Sequence, residues 1–160
     1  MPSKKPKRAK SDSALQRRIE KTVRKQLARI LDWPAALEPR RISYGDSFME
    51  FDCHGEQNGR VLLAEINAHH GTVKSAQRNK VLSDILKMYM QSAEQFERAG
   101  IEEVRMVVVF TNAEAAAFLK GRSWAAETAR KIGAQSVVVS LSPAQTEALK
   151  KTQRDQDLRS

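Results

Sequence analysis

The fold is decided by residues 42–68: Ile42-Ser43-Tyr44-Gly45-Asp46-Ser47-Phe48-Met49-Glu50-Phe51-Asp52-Cys53, then a polar interval, then Arg60-Val61-Leu62-Leu63-Ala64-Glu65-Ile66-Asn67-Ala68. Apolar and aromatic residues here recur at a period of two or run together. Residues 42–53 and 60–68 are therefore expected as extended segments, and His54-Gly55-Glu56-Gln57-Asn58-Gly59 as the hairpin loop between them. The period changes on either side. Before it, Leu15, Ile19, Val23, Leu27, Ile30 and Leu31 recur every three or four residues and predict an amphipathic helix over 14–31, closed by Trp33-Pro34 and Pro39. After it, Val81, Ile85, Met88, Tyr89 and Phe96 predict a long helix from about Val73 to Ala99, capped by Thr72 and stopped by Gly100.

Val104 to Phe110 is almost wholly apolar and reads as a central strand. A helix over 113–131 follows, with Phe118 and Trp124 expected in the core, then a buried strand over Ser136–Leu141. A last helix, Pro143–Thr152, is capped by Ser142. The order is helix, hairpin of two or three strands, helix, strand, helix, strand, helix. It predicts an α/β domain with a mixed central sheet and flanking helices over 14–152, and a polar tail at 153–160.

The chain has 160 residues and a formal charge of +9, and the excess is all at the front: residues 1–30 hold 11 basic and 2 acidic side chains, and the remainder 17 of each. Residues 1–13 lack apolar periodicity and are expected to be a disordered basic arm, with Lys4, Lys5, Lys7, Arg8 and Lys10. Arg17 and Arg18 continue that charge along the polar face of the first helix. A basic arm on an electrically balanced domain points to a polyanion, DNA first. No apolar run is long enough for a membrane span, and the basic N-terminus lacks the apolar stretch of a secretory signal. The expected location is cytoplasmic, with the nucleoid if the source is bacterial and the nucleus if it is eukaryotic, since Lys4-Lys5-Pro6-Lys7-Arg8 resembles a nuclear-localisation signal.

The hairpin carries the densest acidic cluster: Asp46, Glu50, Asp52, Glu56 and Glu65. With the loop centred near residue 57, Asp46 is expected across from Asn67 and beside Glu65, while Asp52 is expected at the far end, roughly 13–20 Å away at about 3.3 Å per residue. Two carboxylates at one strand end suit a hard dication, Mg²⁺ or Mn²⁺. Glu65 is the more telling because it interrupts an apolar strand, where a carboxylate needs a partner, a metal or a shifted pKa. His69-His70 and Cys53-His54 are expected at opposite hairpin ends, which excludes a shared four-coordinate zinc site.

This arrangement resembles the PD-(D/E)XK nuclease superfamily, the restriction-endonuclease-like fold, in its Holliday-junction-resolvase-like branch, over about residues 14–141. The resemblance implies an αβββαβ core, here with a C-terminal αβα extension. Asp46 matches the first acid and Glu65-Ile66-Asn67 the second motif, with Glu20 on the first helix as a further metal ligand. Two departures stand out. Gly45 occupies the place where Pro commonly precedes the acid, and Asn67 replaces the Lys that positions the attacking water. In branches where that lysine has moved to the following helix, the candidates here are Gln77, in line with Val81, Ile85 and Met88, and Lys74 one turn before it. Lys80 falls with Asp84, Lys87 and Gln91 on a stripe expected to face solvent. The resemblance implies a metal-dependent DNA endonuclease, a homodimer being among its admissible states. The alternatives are a non-catalytic nucleic-acid-binding or assembly protein on the same fold, and an unrelated α/β interaction domain with a basic tail.

Overall fold

The apolar stripe of the first helix is buried, as its spacing demands. In the computed structural model, which describes residues 10–158, α1 runs Lys10–Ile30, and its Ile19, Val23 and Leu27 are sealed against one face of a central sheet. Residues 10–13 thus belong to a helix and not to the arm. Lys4, Lys5, Lys7 and Arg8 lie outside the described residues. The chain reverses after α1 through Asp32 at φ 49°, and the Trp33 N–H returns to the Ala28 carbonyl.

Three antiparallel strands follow: β1 (Glu38–Tyr44), β2 (Ser47–Gln57) and β3 (Arg60–Asn67). The segment 42–53, expected as one extended run, is divided by the turn Gly45-Asp46, with Gly45 at φ 56° and Tyr44 paired to Ser47. The loop expected at 54–59 is mostly strand. Only Asn58 and Gly59 turn, at φ 51° and 75°, and two consecutive positive φ angles are the geometry of the two-residue hairpin turn that Asn-Gly favours. Gly59 is also required by space: a Cβ there would lie 2.5 Å from the Gly100 carbonyl oxygen, while its own carbonyl accepts from the Glu102 and Glu103 N–H groups.

This turn corrects the expected register. Cys53 pairs with Ala64 and Gln57 with Arg60, so position 52, and not 46–48, lies opposite Glu65. A second irregularity adds to it. On the other side of β2, Glu38 pairs with His54 but Arg40 with Phe51, which leaves one extra residue on β2 in the 52–53 region. Such a bulge switches the face on which side chains emerge: Phe51 packs with one core cluster and Cys53 with the other.

Helix α2 (Ser75–Phe96) leads to β4 (Glu103–Phe110), parallel to β3; α3 (Ala113–Lys120) and α4 (Trp124–Lys131) lead to β5 (Ala134–Val138), parallel to β4; α5 (Pro143–Asp157) closes the chain. The sheet order is β1-β2-β3-β4-β5, giving an α/β fold with a five-stranded mixed sheet. Val81, Ile85 and Met88 of α2, with Ala115, Leu119 and Ala129 of α3 and α4, cover one face. Leu149 of α5 joins α1 on the other.

Several local expectations change. Thr72 does not cap α2; its hydroxyl donates to Glu114, and Lys74 stands at the cap without a side-chain hydrogen bond. The helix expected over 113–131 breaks at Gly121-Arg122-Ser123, where Ser123 caps α4 by accepting from the Ala126 N–H. The break takes Trp124 out of phase with Phe118 and leaves it 72% exposed rather than in the core. Helix α5 continues beyond residue 152 through the segment expected as a tail. The Gln153 side chain there accepts from the His70 N–H and donates to the His70 carbonyl. Among the described residues, no helix is long and apolar enough to cross a membrane.

Candidate functional site

Sequence position alone makes Glu65 costly, because it lies between the buried Ala64 and Ile66 and is itself only 3% exposed. Its partner is Asp52. Where the bulge interrupts the ladder, the Asp52 side chain takes over a backbone role: its Oδ2 accepts from the Ile66 N–H at 2.9 Å. The Arg24 guanidinium of α1 donates to the Asp52 carbonyl at 3.1 Å. Burial, followed by hydrogen bonding with the Asp52 carboxyl and the Asp52 charge, raises the pKa of Glu65 to about 9, with Lys87 pulling in the other direction.

Asp46 is not part of this pair. It is exposed in the β1–β2 turn, six residues and about 20 Å along the strand from Asp52. The difference comes from the loop: moving its centre to Asn58-Gly59 shifts the partner of Glu65 by four residues. An even slip keeps the face and changes only the identity of the acid.

Of the stripe expected to face solvent on α2, Lys80 is exposed, but Asp84 and Lys87 are half-buried and Gln91 buried along the site. The Lys87 ammonium contacts Glu65 Oε1, donates to the Glu50 carbonyl at 2.7 Å and lies 5.0 Å from the Phe51 ring centroid. Lys80 is 2.7 Å from Asp84 Oδ2. Burial works against its charge, but the Asp84 hydrogen bond and the Asp84, Glu65 and Asp52 charges outweigh it and raise its pKa. Gln91, on the same stripe, is 1% exposed. Lys74 is elsewhere: it is exposed and 3.8 Å from Asp157. The cation beside the acid therefore comes from the middle of α2.

Glu20, Asn67, Gln77 and Lys80 line a cavity of about 270 Å³ that opens between α1, the end of β3, the start of α2 and α5. Glu20 accepts from the Gln16 side chain, and Asn67 is buried. His69 borders the same cavity, its pKa lowered first by burial. Glu20 does not join Asp52 and Glu65: among the described residues, no three His, Cys, Asp or Glu side chains gather as a metal-binding group. Arg17 and Arg18 are exposed on α1.

Asp52, Lys87, Lys80, Arg40 and Arg41 are the residues of this region that sequence pattern does not single out. The last two line a shallow hollow with Glu50, Phe51 and Asp52. The dipeptide Asn58-Gly59 is the signal that could have found Asp52. No family model, curated protein or solved structure matches the chain.

Proposed function

We propose that this chain is a metal-dependent DNA endonuclease on the restriction-endonuclease-like fold, acting at the Asp52–Glu65 pair in the compartment that holds DNA. The observation that carries the reading is the pair itself: two carboxyl groups on adjacent strands, one buried and raised in pKa, with an ammonium from the next helix on it. The helix, three antiparallel strands, helix and parallel strand around them support the fold analogy. The donor set fits Mg²⁺ or Mn²⁺, because hard oxygen ligands are wanted and Mg²⁺ takes only one or two carboxylates from protein and keeps its remaining waters. When bound by Asp52 and Glu65, the ion supplies an acidified water and neutralises phosphate charge.

The chain's own groups supply the rest. Lys87 replaces the cation that Asn67 cannot provide and, anchored by the Glu50 carbonyl, has a fixed approach to the reacting phosphate. Asp84 holds Lys80 charged at the cavity mouth. Arg40 and Arg41 beside Asp52, with Arg17 and Arg18 on α1, offer guanidinium groups to the phosphate backbone.

A second reading, non-catalytic DNA binding on the same fold, is favoured by Asn67 and by the two-acid rather than three-acid grouping among the described residues. Nicking of supercoiled plasmid with Mg²⁺ or Mn²⁺ separates them. Asp52→Asn should abolish cleavage, Lys87→Met should reduce it by about 10²-fold or more, and Asp46→Asn should leave it unchanged. A folded wild type that binds DNA but neither nicks it nor binds metal by calorimetry decides for the second reading.

A further inference from the structure

Helix α2 has two apolar faces. Val81, Ile85 and Met88 fill the core, but Leu86, Tyr89, Met90 and Phe96 are 61%, 46%, 39% and 53% exposed. With Leu82 and Ala93 they continue along one line: Leu82, Leu86, Tyr89, Ala93 and Phe96 are spaced four, three, four and three. That is the seam spacing of a helix that packs on another helix, and it extends for about 21 Å at 1.5 Å per residue. Isolated exposed apolar residues are ordinary; a contiguous stripe on one helix calls for a partner.

Charge at the two ends of the stripe identifies the partner. Arg78 lies in line with it at the N-terminal end. Its guanidinium donates to the Val73 carbonyl and sits 5.4 Å from the Phe118 ring centroid, with no carboxylate partner among the described residues. Glu97 flanks the stripe at the C-terminal end and is exposed, again with no cation among the described residues. Setting the helix antiparallel to a copy of itself, with the axis passing between Lys87 and Met88, brings Leu86 to Tyr89 of the copy, Leu82 to Ala93 and Arg78 to Glu97. All three pairings occur twice. A parallel arrangement would instead oppose Arg78 to Arg78 and Glu97 to Glu97.

We propose that a second copy of this chain covers the stripe, forming a two-fold dimer through antiparallel α2 helices. The contact is isologous, so it closes at two subunits and generates no filament. Lys87 lies about 160° round the helix from Tyr89 at 100° per residue, so the seam leaves the face carrying Lys87 and Glu65 free. The dimer rests on the stripe and its end charges and does not depend on the nuclease reading.

The test is sedimentation velocity of the full chain from about 1 to 100 µM, without metal or nucleic acid. The expected species is a dimer. Leu86→Glu, at an exposed position, should leave the circular dichroism spectrum unchanged and raise the dimer dissociation constant at least about a hundredfold, since each dimer buries this leucine twice. Arg78→Glu and Glu97→Arg should each weaken the dimer several-fold, and the double variant should restore it, because the reversed charges again face each other. A wild type that is monomeric at 100 µM overturns the proposal, as does a dimer indifferent to Leu86→Glu or one that the double charge reversal weakens further. A monomer whose stripe takes up lipid vesicles or a different protein falls among the overturning outcomes.

Discussion

Replacing Glu65 by Gln should change how stability depends on pH, and the sign follows from the raised pKa. Near pH 7 to 8.5 the native protein keeps a proton on Glu65, whereas the unfolded chain has lost it above about pH 4.5. The native state therefore binds about one proton more than the unfolded state. Stability falls with rising pH by about 1.4 kcal/mol per unit, from the unfolded pKa up to about 9. The substituted glutamine imitates the protonated acid, since its amide can donate to Asp52 while its carbonyl accepts from Lys87, and it does not titrate. The Cys53 thiol, raised by burial, begins to contribute toward pH 8.5 as the unfolded thiol ionises, but equally in both proteins, and the remaining shifted groups are silent in that window. Burial lowers His54 and His69, so their contribution is lost only as pH falls below about 6.5. The Arg98 hydrogen bond lowers Glu56, whose contribution is lost only in acid. Lys80 is raised and stays charged. Between pH 7 and 8.5, wild type should lose about 2 kcal/mol relative to Glu65→Gln. The measurement is urea unfolding at each pH in EDTA, which keeps metal binding out of the balance. Parallel stability curves for the two proteins would refute the proton held on Glu65.

Two more outcomes can be measured directly. Gly59→Ala should destabilise the fold by about 1–3 kcal/mol or more in urea unfolding, because a positive φ and a carbonyl 2.5 Å from the new Cβ act together; Gly45→Ala, with φ 56° but open space around it, should cost about 1–2 kcal/mol at most, and equal losses would remove the steric part. Deleting residues 1–9, which precede α1, should flatten the dependence of log K on log salt for DNA binding by about 0.9 for each phosphate that the arm neutralises; an unchanged slope means that the arm does not touch DNA.

The order of helices and strands is legible in the sequence because each element carries its own period: Ile19, Val23 and Leu27 at helical spacing, Val104 to Phe110 as an unbroken apolar run. Glu65 is legible for the same reason, as a carboxylate that the surrounding apolar strand cannot leave unpartnered. Its partner is not, because the identity of the residue across a hairpin depends on where the turn lies, and a shift of two residues in the turn centre moves the partner by four. The Asn58-Gly59 dipeptide holds that information. The bulge at 52–53 is beyond pattern reading, since nothing in Asp52-Cys53 distinguishes an extra residue from a regular one. On α2, apolar residues occupy both the sheet side and the outer side, so hydrophobicity does not say which polar stripe faces inward. Pattern alone consequently sends Lys87 to solvent, although it lies half-buried on Glu65.

The bulge that exchanges faces in β2 also gives the protein an internal clock. It turns Cys53 away from the Asp52 carboxylate and into the layer under α1, fully buried. There burial, followed by the neighbouring Asp52 charge, holds the thiol well above its ordinary pKa. A thiol in that state does not react with a disulfide reagent until the layer parts. With no other cysteine in the chain, the rate of thiol labelling, divided by that of an unstructured cysteine, reports the fraction of molecules in which α1 has lifted from β2. The residue next to Asp52 thus records how often the strand that carries the acid is exposed to water.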